Sequence, residues 1–430
     1  MTPLPLLILL PLLQQGAAPE DFRVQDLQAH IGFLACDEME GRESGKLSGH
    51  LAGRYVEAQF RRFGLQPLPG RDDLRIPFTI GRGERATTAY DVVGVLPGTG
   101  PDADRYLVIG AHFDHAGIGG PGAMGFPGEI HNGADDNASG TAAMLELAEW
   151  YAAHPPNHSL IFIGFSAEER GLNGSRALVE AGGTMAPDDG GALAVEEAPA
   201  LPLERIDAML NLDMVGRSED GYLFVGGLGT AEEFHDLLGP VFERSDLRLE
   251  LSDLGEAPSD NTSFYHAGIP ALFLFTNVHE DYHMPSDDPE KIHYEEEVRI
   301  LGLAREMVDA LDRAGRLTFR EAPGMGMPAD FQQRMGEHFR RIAERQDQRG
   351  RFGVRVDAGG AGLLVSDVSA GSAAEEAGIA PGDRLLRMNG RDLHTIADLR
   401  RALGGGMKGD EVRFVLLRDG ERIRGSAVLR

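Results

Sequence analysis

Four short apolar runs, at residues 107–111, 160–165, 206–212 and 271–276, pass through the chain with almost no polar interruption. Runs of this kind are typical of strands buried on both faces, and such strands belong to parallel sheets covered by helices. Segments with helical period lie between and around them. Met144, Leu145, Leu147, Ala148 and Trp150 form one apolar face, an earlier helix is expected to end at Phe60-Arg61-Arg62-Phe63-Gly64-Leu65, and a later one spans about 294–311. The pattern predicts an α/β fold with a mixed, mostly parallel sheet flanked by helices. After a Pro/Gly/Met stretch at 323–328 comes another helical run, with Phe331, Met335, Phe339 and Ile342 spaced by three and four.

The C-terminal part reads as a separate, small β+α unit. Strands are expected at Gly353-Val354 and Gly362-Leu363-Leu364-Val365, a short helix, turn and strand across 372–390, and a helix near 395–403. The expected organisation is a leader at 1–18, a large domain at 20–315, a linker with a helix at 316–349 and the small domain at 350–430. Two Gly- and Pro-containing stretches, 117–128 and 182–204, are expected to rim a cleft.

Polar residues cluster just past the apolar runs. His112 and Asp114 follow the first, Glu168 and Glu169 the second, Asp213 the third and His283 the fourth, while Asp135 sits in a Gly/Asn/Asp turn that feeds a helix. The carboxyl ends of parallel strands open on one crevice, so these residues can meet although they are distant in sequence. Zinc accepts imidazole and carboxylate, and in two-metal sites the ions lie roughly 3.5–4 Å apart, close enough for one carboxylate to bridge them. Glu168, beside a ligand candidate, is the expected general base, and Asp114 could orient the His112 ring. Each residue also has a plainer role: a loop histidine, an acidic first helical turn at Glu168-Glu169, an N-cap at Asp135-Asp136, a turn former at Asp213. The plain roles would require independent accidents at the same end of several strands.

At these positions the chain resembles the zinc exopeptidases that include bacterial di-zinc aminopeptidases and glutamate carboxypeptidase, with glutaminyl cyclases as relatives. The matching pieces are Gly110-Ala111-His112-Phe113-Asp114, the 133–140 turn, Phe165-Ser166-Ala167-Glu168-Glu169, Asn211-Leu212-Asp213 and His283-Met284-Pro285-Ser286-Asp287, within about 25–313. The resemblance implies two zinc ions, one on His112 and Asp213, the other on Glu169 and His283, with Asp135 bridging and a cis peptide after it, between Asp135 and Asp136. His279 is the second choice for the histidine. The family's tyrosine upstream of Ser259-Asp260-Asn261 has no counterpart in Leu254–Pro258, and Asn261 stands where a histidine is often found. The string from Ser372 to Gly390 resembles a PDZ domain of the bacterial protease-associated type. That implies a peptide ligand whose terminal carboxylate meets the loop Arg351-Phe352-Gly353-Val354.

A net charge of −27 excludes nucleic acid and anionic membrane as expected partners, because both select basic surfaces. The apolar Met1–Leu13 run followed by Gly16-Ala17-Ala18 predicts a signal peptide and a periplasmic or secreted location, although its start carries no Lys or Arg. Cys36 is the only cysteine, which rules out an intrachain disulfide. The expected function is an exported di-zinc metallo-exopeptidase acting on peptides, in the first place an aminopeptidase. A metallocarboxypeptidase, with Arg170, Arg176 or Arg217 for the substrate carboxylate, a glutaminyl-cyclase-like enzyme and an inactive peptide-binding protein are the alternatives.

Overall fold

The computed structural model describes residues 22–180, apart from 82, 84, 85, 120–122, 125 and 127, and residues 201–430. The expected leader and most of the 182–204 stretch lie outside the described residues. Eight strands form the larger sheet: β1 (Arg75–Ile80), β2 (Thr87–Leu96), β3 (Tyr106–His112), β4 (Ser159–Phe165), β5 (Ile206–Leu212), β6 (Tyr222–Gly226), β7 (Arg248–Leu251) and β8 (Ala271–Phe275). Their order is β1-β2-β4-β3-β5-β8-β6-β7. The four central strands β4, β3, β5 and β8 are mutually parallel, while β2 and β6 flank them antiparallel. These central strands are the four apolar runs, and every residue in them is buried.

Alternate side chains of each central strand serve opposite faces. Leu107, Ile109 and Ala111 of β3 join a core with helices α1 (Val24–Leu34), α2 (Leu47–Phe63), α3 (Gly140–Ala153), α5 (Phe234–Arg244) and α7 (Tyr294–Asp312). Val108 of β3, with Ile161, Ile163 and Phe165 of β4, faces the shorter helices α4 (Asn173–Val179) and α6 (Asn261–His266). Helix α2 ends at Gly64, whose left-handed φ of 85° lets Leu65 donate back to the Phe60 carbonyl at 3.0 Å. That is the stop signal read from Phe63-Gly64-Leu65.

Helix α8 (Phe331–Gln348) leads into a second sheet, ordered β14-β13-β11-β10-β9, with β12 paired to β11. Its strands are β9 (Val354–Ala358), β10 (Leu363–Val368), β11 (Arg384–Met388), β12 (Arg391–Asp392), β13 (Glu411–Arg418) and β14 (Glu421–Val428), with α9 (Ala373–Glu376) and α10 (Ile396–Leu403) packed on them. This domain has its own core around Phe352, Leu363, Leu385, Met388 and Phe414. Among the described residues no helix is long and apolar enough to cross a membrane.

One polar tie fastens the sheet to α7. His158, at the start of β4, lies with Nδ1 3.0 Å from Asp312 and Nε2 3.4 Å from Asp207, and Arg105 also pairs with Asp207. Burial alone would lower the imidazole pKa, but the two carboxylates outweigh it and raise it to about 9. A group whose folded pKa lies above its unfolded value stabilises fully below the unfolded pKa and loses that contribution as pH rises through the folded one. The melting temperature should therefore fall between about pH 6.5 and 9, and His158→Gln should flatten that fall. Differential scanning calorimetry across this window checks it; equal slopes for both proteins would contradict the tie.

Candidate metal centre and active site

The carboxyl ends of β3, β4, β5 and β8 all open on one cleft, which is why their trailing residues converge. His112 closes β3, Glu168 and Glu169 form a tight turn after β4, Asp213 follows β5, and His283 lies on the loop after β8. Backbone strain concentrates here. Ala167 before the Glu pair, Met214 after Asp213, and His283 itself hold left-handed φ values of 60°, 50° and 53°. Such conformations cost of order 1–3 kcal/mol each in non-glycine residues and persist only where the surroundings impose them.

Two groups of donor atoms share one carboxylate, and that carboxylate belongs to Asp136. His112, Asp136 and Asp213 form one group; Asp136, Glu169 and His115 form the other. His112 Nε2 lies 3.4 Å from Asp213 Oδ1 and 3.5 Å from Asp136 Oδ1. His283 Nε2 lies 2.9 Å from Asp136 Oδ2 and 3.3 Å from Glu169 Oε2, so it faces the second group as well. Ligands about 2.0–2.2 Å from a tetrahedral zinc ion are roughly 3.3–3.5 Å from one another, close to most of these separations. Mixed nitrogen and oxygen donors of this kind suit a divalent cation.

Asp135, expected as the bridge, does not reach this centre. Its Oδ1 accepts from the Gly216 amide at 2.7 Å and from Ser139 Oγ at 3.0 Å, and its Oδ2 lies 3.2 Å from His279 Nε2. Asp135 thus ties the turn to the loop after β5, and His279, the second-choice ligand, serves Asp135. The cis peptide also lies one residue later than expected, between Asp136 and Asn137. Adjacent carboxylates point in different directions, and nothing in the spacing said which one faces the cleft. The distinguishing feature is the Asp287 carboxylate, which accepts from both the Asp135 and Asp136 amides, at 3.0 and 3.1 Å, and so fixes the turn.

Asp114 also differs from its expected role. The nearest acceptor for His112 Nδ1 is the Asp114 main-chain oxygen at 3.2 Å; the carboxylate stands 3.8 Å away. That carboxylate instead accepts from Ser44 Oγ at 2.7 Å and from the Glu168 amide at 3.2 Å, positioning the Glu168 turn. Glu168 Oε2 lies 4.0 Å from His112 Nε2, at the edge of the first donor group. Burial pushes the Glu168 carboxyl well above its ordinary pKa, opposed by His112 and reinforced by Asp213, Glu169 and Asp260. Ser259, rather than Asn261, supports Asp213, donating to its Oδ2 at 2.6 Å. His115 Nδ1 donates to Glu169 Oε1 at 2.7 Å, and His131 Nδ1 donates to the His283 carbonyl at 3.0 Å.

Arg42 is buried beside the site. Its guanidinium donates to the carbonyls of Phe113, Leu34, Asn132 and Gly133 at 2.8, 2.8, 2.5 and 2.9 Å, with Asp136 at 3.5 Å. It thereby joins the loop after His112 to the turn carrying Asp136. Burial lowers its pKa to about 10, against the pull of Asp136, Asp114, Asp287 and Glu169, so it stays charged at neutral pH. Gly41, with φ 68°, lets this segment pass closely: a Cβ there would come within 2.5 Å of the His131 carbonyl and 2.6 Å of the Gly117 carbonyl.

The cleft holds a cavity of about 210 Å3. Donors His112, Asp136, Glu168, Glu169, Asp213 and His283 line one side. The remaining lining residues are Pro258, Tyr282, Met214, Phe273, Phe275, Val278, Met327 and Phe331. The last two come from the segment expected to be a linker. In the PDZ-like domain, Phe352 is buried in the core, Gly353 has φ 85°, Arg351 pairs with Arg430 through the main chain, and Val354 begins the edge strand β9.

With fold and site in place, comparison with known proteins identifies the class. Residues 91–308 match the model of peptidase family M28, and residues 341–417 match the PDZ domain model. The chain belongs to peptidase family M28 and carries a PDZ domain. It is similar to leupeptin-inactivating enzyme 1 of Streptomyces exfoliatus, 29% identical over 263 residues that cover 60% of this chain and 51% of that protein. It is also similar to aminopeptidase YwaD of Bacillus subtilis (strain 168), 33% identical over 222 residues, 48% of this chain and 41% of that one. The chain thus spans about half, or less, of the length of these relatives. Among solved structures, BSAP, a zinc aminopeptidase from Bacillus subtilis, superposes with a TM-score of 0.51 at 18% identity, covering 69% of this chain and 96% of that one. A glutaminyl cyclase from Porphyromonas gingivalis gives 0.50 at 14% identity, covering 67% and 99%. At these identities the likeness concerns the fold.

The arginine tie makes a specific prediction. A lysine at position 42 keeps the charge but offers three donors from one nitrogen, too few and too concentrated for five carbonyls on separate segments. Arg42→Lys should destabilise the fold by roughly 2–4 kcal/mol through carbonyls left buried without donors. Urea unfolding followed by circular dichroism measures this, and a loss below about 0.5 kcal/mol, the usual size for a neutral surface change, would contradict the role.

Proposed function

We propose that the protein is a di-zinc aminopeptidase that removes N-terminal residues from peptides. The observation that carries this reading is that no Lys or Arg lines the cavity among the described residues. A carboxypeptidase needs a cationic side chain for the substrate carboxylate, whereas a free α-ammonium group needs none. The arginines considered for that task are engaged elsewhere: Arg170 with Glu43 at 2.7 Å, Arg176 with Glu180 at 3.3 Å and Arg217 with Asp281 at 3.1 Å. The names of the relatives, among them an aminopeptidase and a zinc aminopeptidase, support the same choice.

His112 and Asp213 would hold one zinc ion, Glu169 and His283 the other, with Asp136 shared between them. Bound there, zinc supplies Lewis-acid polarisation of the scissile carbonyl and activation of a water molecule. Glu168 is placed to take the proton of the attacking water and carry it to the leaving amine, because its carboxylate borders the donor groups and belongs to neither. Asp114 holds the Glu168 turn through its amide. The sequence of Met1–Ala18 supports export to the periplasm or beyond. The PDZ domain would receive a peptide C-terminus as an added strand beside β9, its carboxylate at the amides of Phe352 and Gly353.

Glu168→Gln preserves shape and removes the proton acceptor. Zinc content should stay unchanged while kcat falls by at least about 10²–10⁴-fold, the usual contribution of general acid–base catalysis. Peptide digests analysed by mass spectrometry, with metal analysis of the same samples, provide the test; near-normal shortening from the N-terminus by this variant would overturn the assignment. Metal stoichiometry tests the bridge separately. Asp136→Ala should lose both zinc equivalents, whereas Asp135→Ala should keep the larger part of them, and the reverse order would restore Asp135 as the shared ligand.

A further inference from the structure

The segment between the two domains, expected as a linker with a helix, borders the cleft. Met327 and Phe331 line the same cavity as His112, Asp136 and Glu168. Both residues fall between the stretches matched by the peptidase and PDZ models, so neither domain model includes them. Resting on the aminopeptidase reading above, we propose that this connector completes the pocket for the substrate's N-terminal side chain and determines which side chains are accepted.

The connector is fixed in place by several contacts. The Gly255 amide donates to the Ala322 carbonyl at 2.7 Å, and the Gly326 amide to the Glu256 carbonyl at 2.8 Å. Asn277 Nδ2 donates to Asp330 at 2.6 Å. Met327, Phe331 and Met335 pack against the apolar cluster of Met214, Phe273, Phe275 and Val278. Further along α8, the His338 ring lies 5.9 Å from Tyr282, whose own ring is 4.0 Å from His283. Arg349, near the start of the PDZ domain, reaches back to Glu129 at 3.2 Å. The connector therefore occupies one defined position against the loop that carries His283.

The size and lining of the cavity indicate what it holds. At about 210 Å3 it is smaller than the ~300–1,000 Å3 typical of drug-sized ligand sites, so it suits one side chain rather than a peptide stretch. Beyond the donor residues its lining is mostly apolar, built from Phe, Val and Met side chains with Tyr282 and Pro258, so the substrate class is peptides with a large apolar N-terminal residue. Burying such a side chain contributes about 1.5–3 kcal/mol, enough for roughly a ten- to hundredfold preference for Leu over Ala. Met327 adds an adaptable thioether surface that accepts different shapes.

Three substitutions of Phe331 in the full-length protein test the proposal, and two of them change the pocket in opposite directions. Phe331→Ala opens the wall and Phe331→Trp fills the space. kcat/KM is measured on Ala, Leu, Phe and Trp amino-acid p-nitroanilides, with zinc content and a thermal melt for each protein. In Phe331→Ala the Leu-to-Ala ratio should fall about tenfold while the Trp-to-Leu ratio rises. In Phe331→Trp the ranking should shift toward Ala. Phe331→Leu, which keeps an apolar wall, should retain most of the Leu preference even if Phe331→Ala melts early. Unchanged rankings in all three variants, with zinc retained, would overturn the proposal while leaving the aminopeptidase reading intact. If the wild-type protein, with full zinc, releases no N-terminal residue from any of these substrates, the aminopeptidase reading fails and the proposal with it.

Discussion

One buried guanidinium links the segments on which the site depends. Arg42 reaches the carbonyl that follows His112 and the carbonyls around the Asp136 turn, two stretches of chain with no strand pairing between them. A buried charge is costly unless it is fully hydrogen-bonded and faces opposite charge. Here the carbonyls meet the first condition and the carboxylates of Asp136, Asp114, Asp287 and Glu169 meet the second. The same arginine therefore stabilises the loop geometry and offsets part of the acidity of the site. Gly41 is what allows the arginine segment to lie against the Gly117 and His131 carbonyls at all.

The second constraint is electrostatic. Asp136, Asp213, Glu168 and Glu169 crowd a small volume at the strand ends, and His112, His115 and His283, with Arg42 behind the turn, are the opposing groups. Carboxylates this close either take up protons or share cations. The hydrogen bonds from Ser259 to Asp213 and from His115 to Glu169 hold two of them in orientations that direct the remaining oxygens inward. Such support from neighbouring groups sets the geometry that a bound ion meets.

The larger fold was legible because its four central strands are buried on both faces and leave uninterrupted apolar runs. The convergence of His112, Glu169, Asp213 and His283 followed from those strands being parallel. What was not legible depended on single-residue direction. Asp135 and Asp136 are equivalent to a sequence pattern, and only the turn held by Asp287 decides that the second faces the cleft. The roles of Arg42, Ser44 and His115 were hidden for the same reason, since their contacts join segments remote in sequence. Where the connector packs was hidden for another reason. Its apolar residues at spacings of three and four announce a helix, but a helical period does not say which surface the apolar face covers. That Phe331 covers the active cleft is visible only once α8 is placed on the loop after β8.

The peptidase cleft, the connector and the PDZ domain thus form a continuous series of contacts rather than a catalytic unit with an appended tether. The shared carboxylate at the centre of the cleft is the feature on which the proposed chemistry rests. A crystal structure of the zinc-loaded protein, with anomalous difference maps recorded on both sides of the zinc absorption edge, measures it most directly. Two peaks roughly 3.5–4 Å apart, one on each side of the Asp136 carboxylate, are the predicted result. A single peak, or a peak coordinated by Asp135, would contradict it.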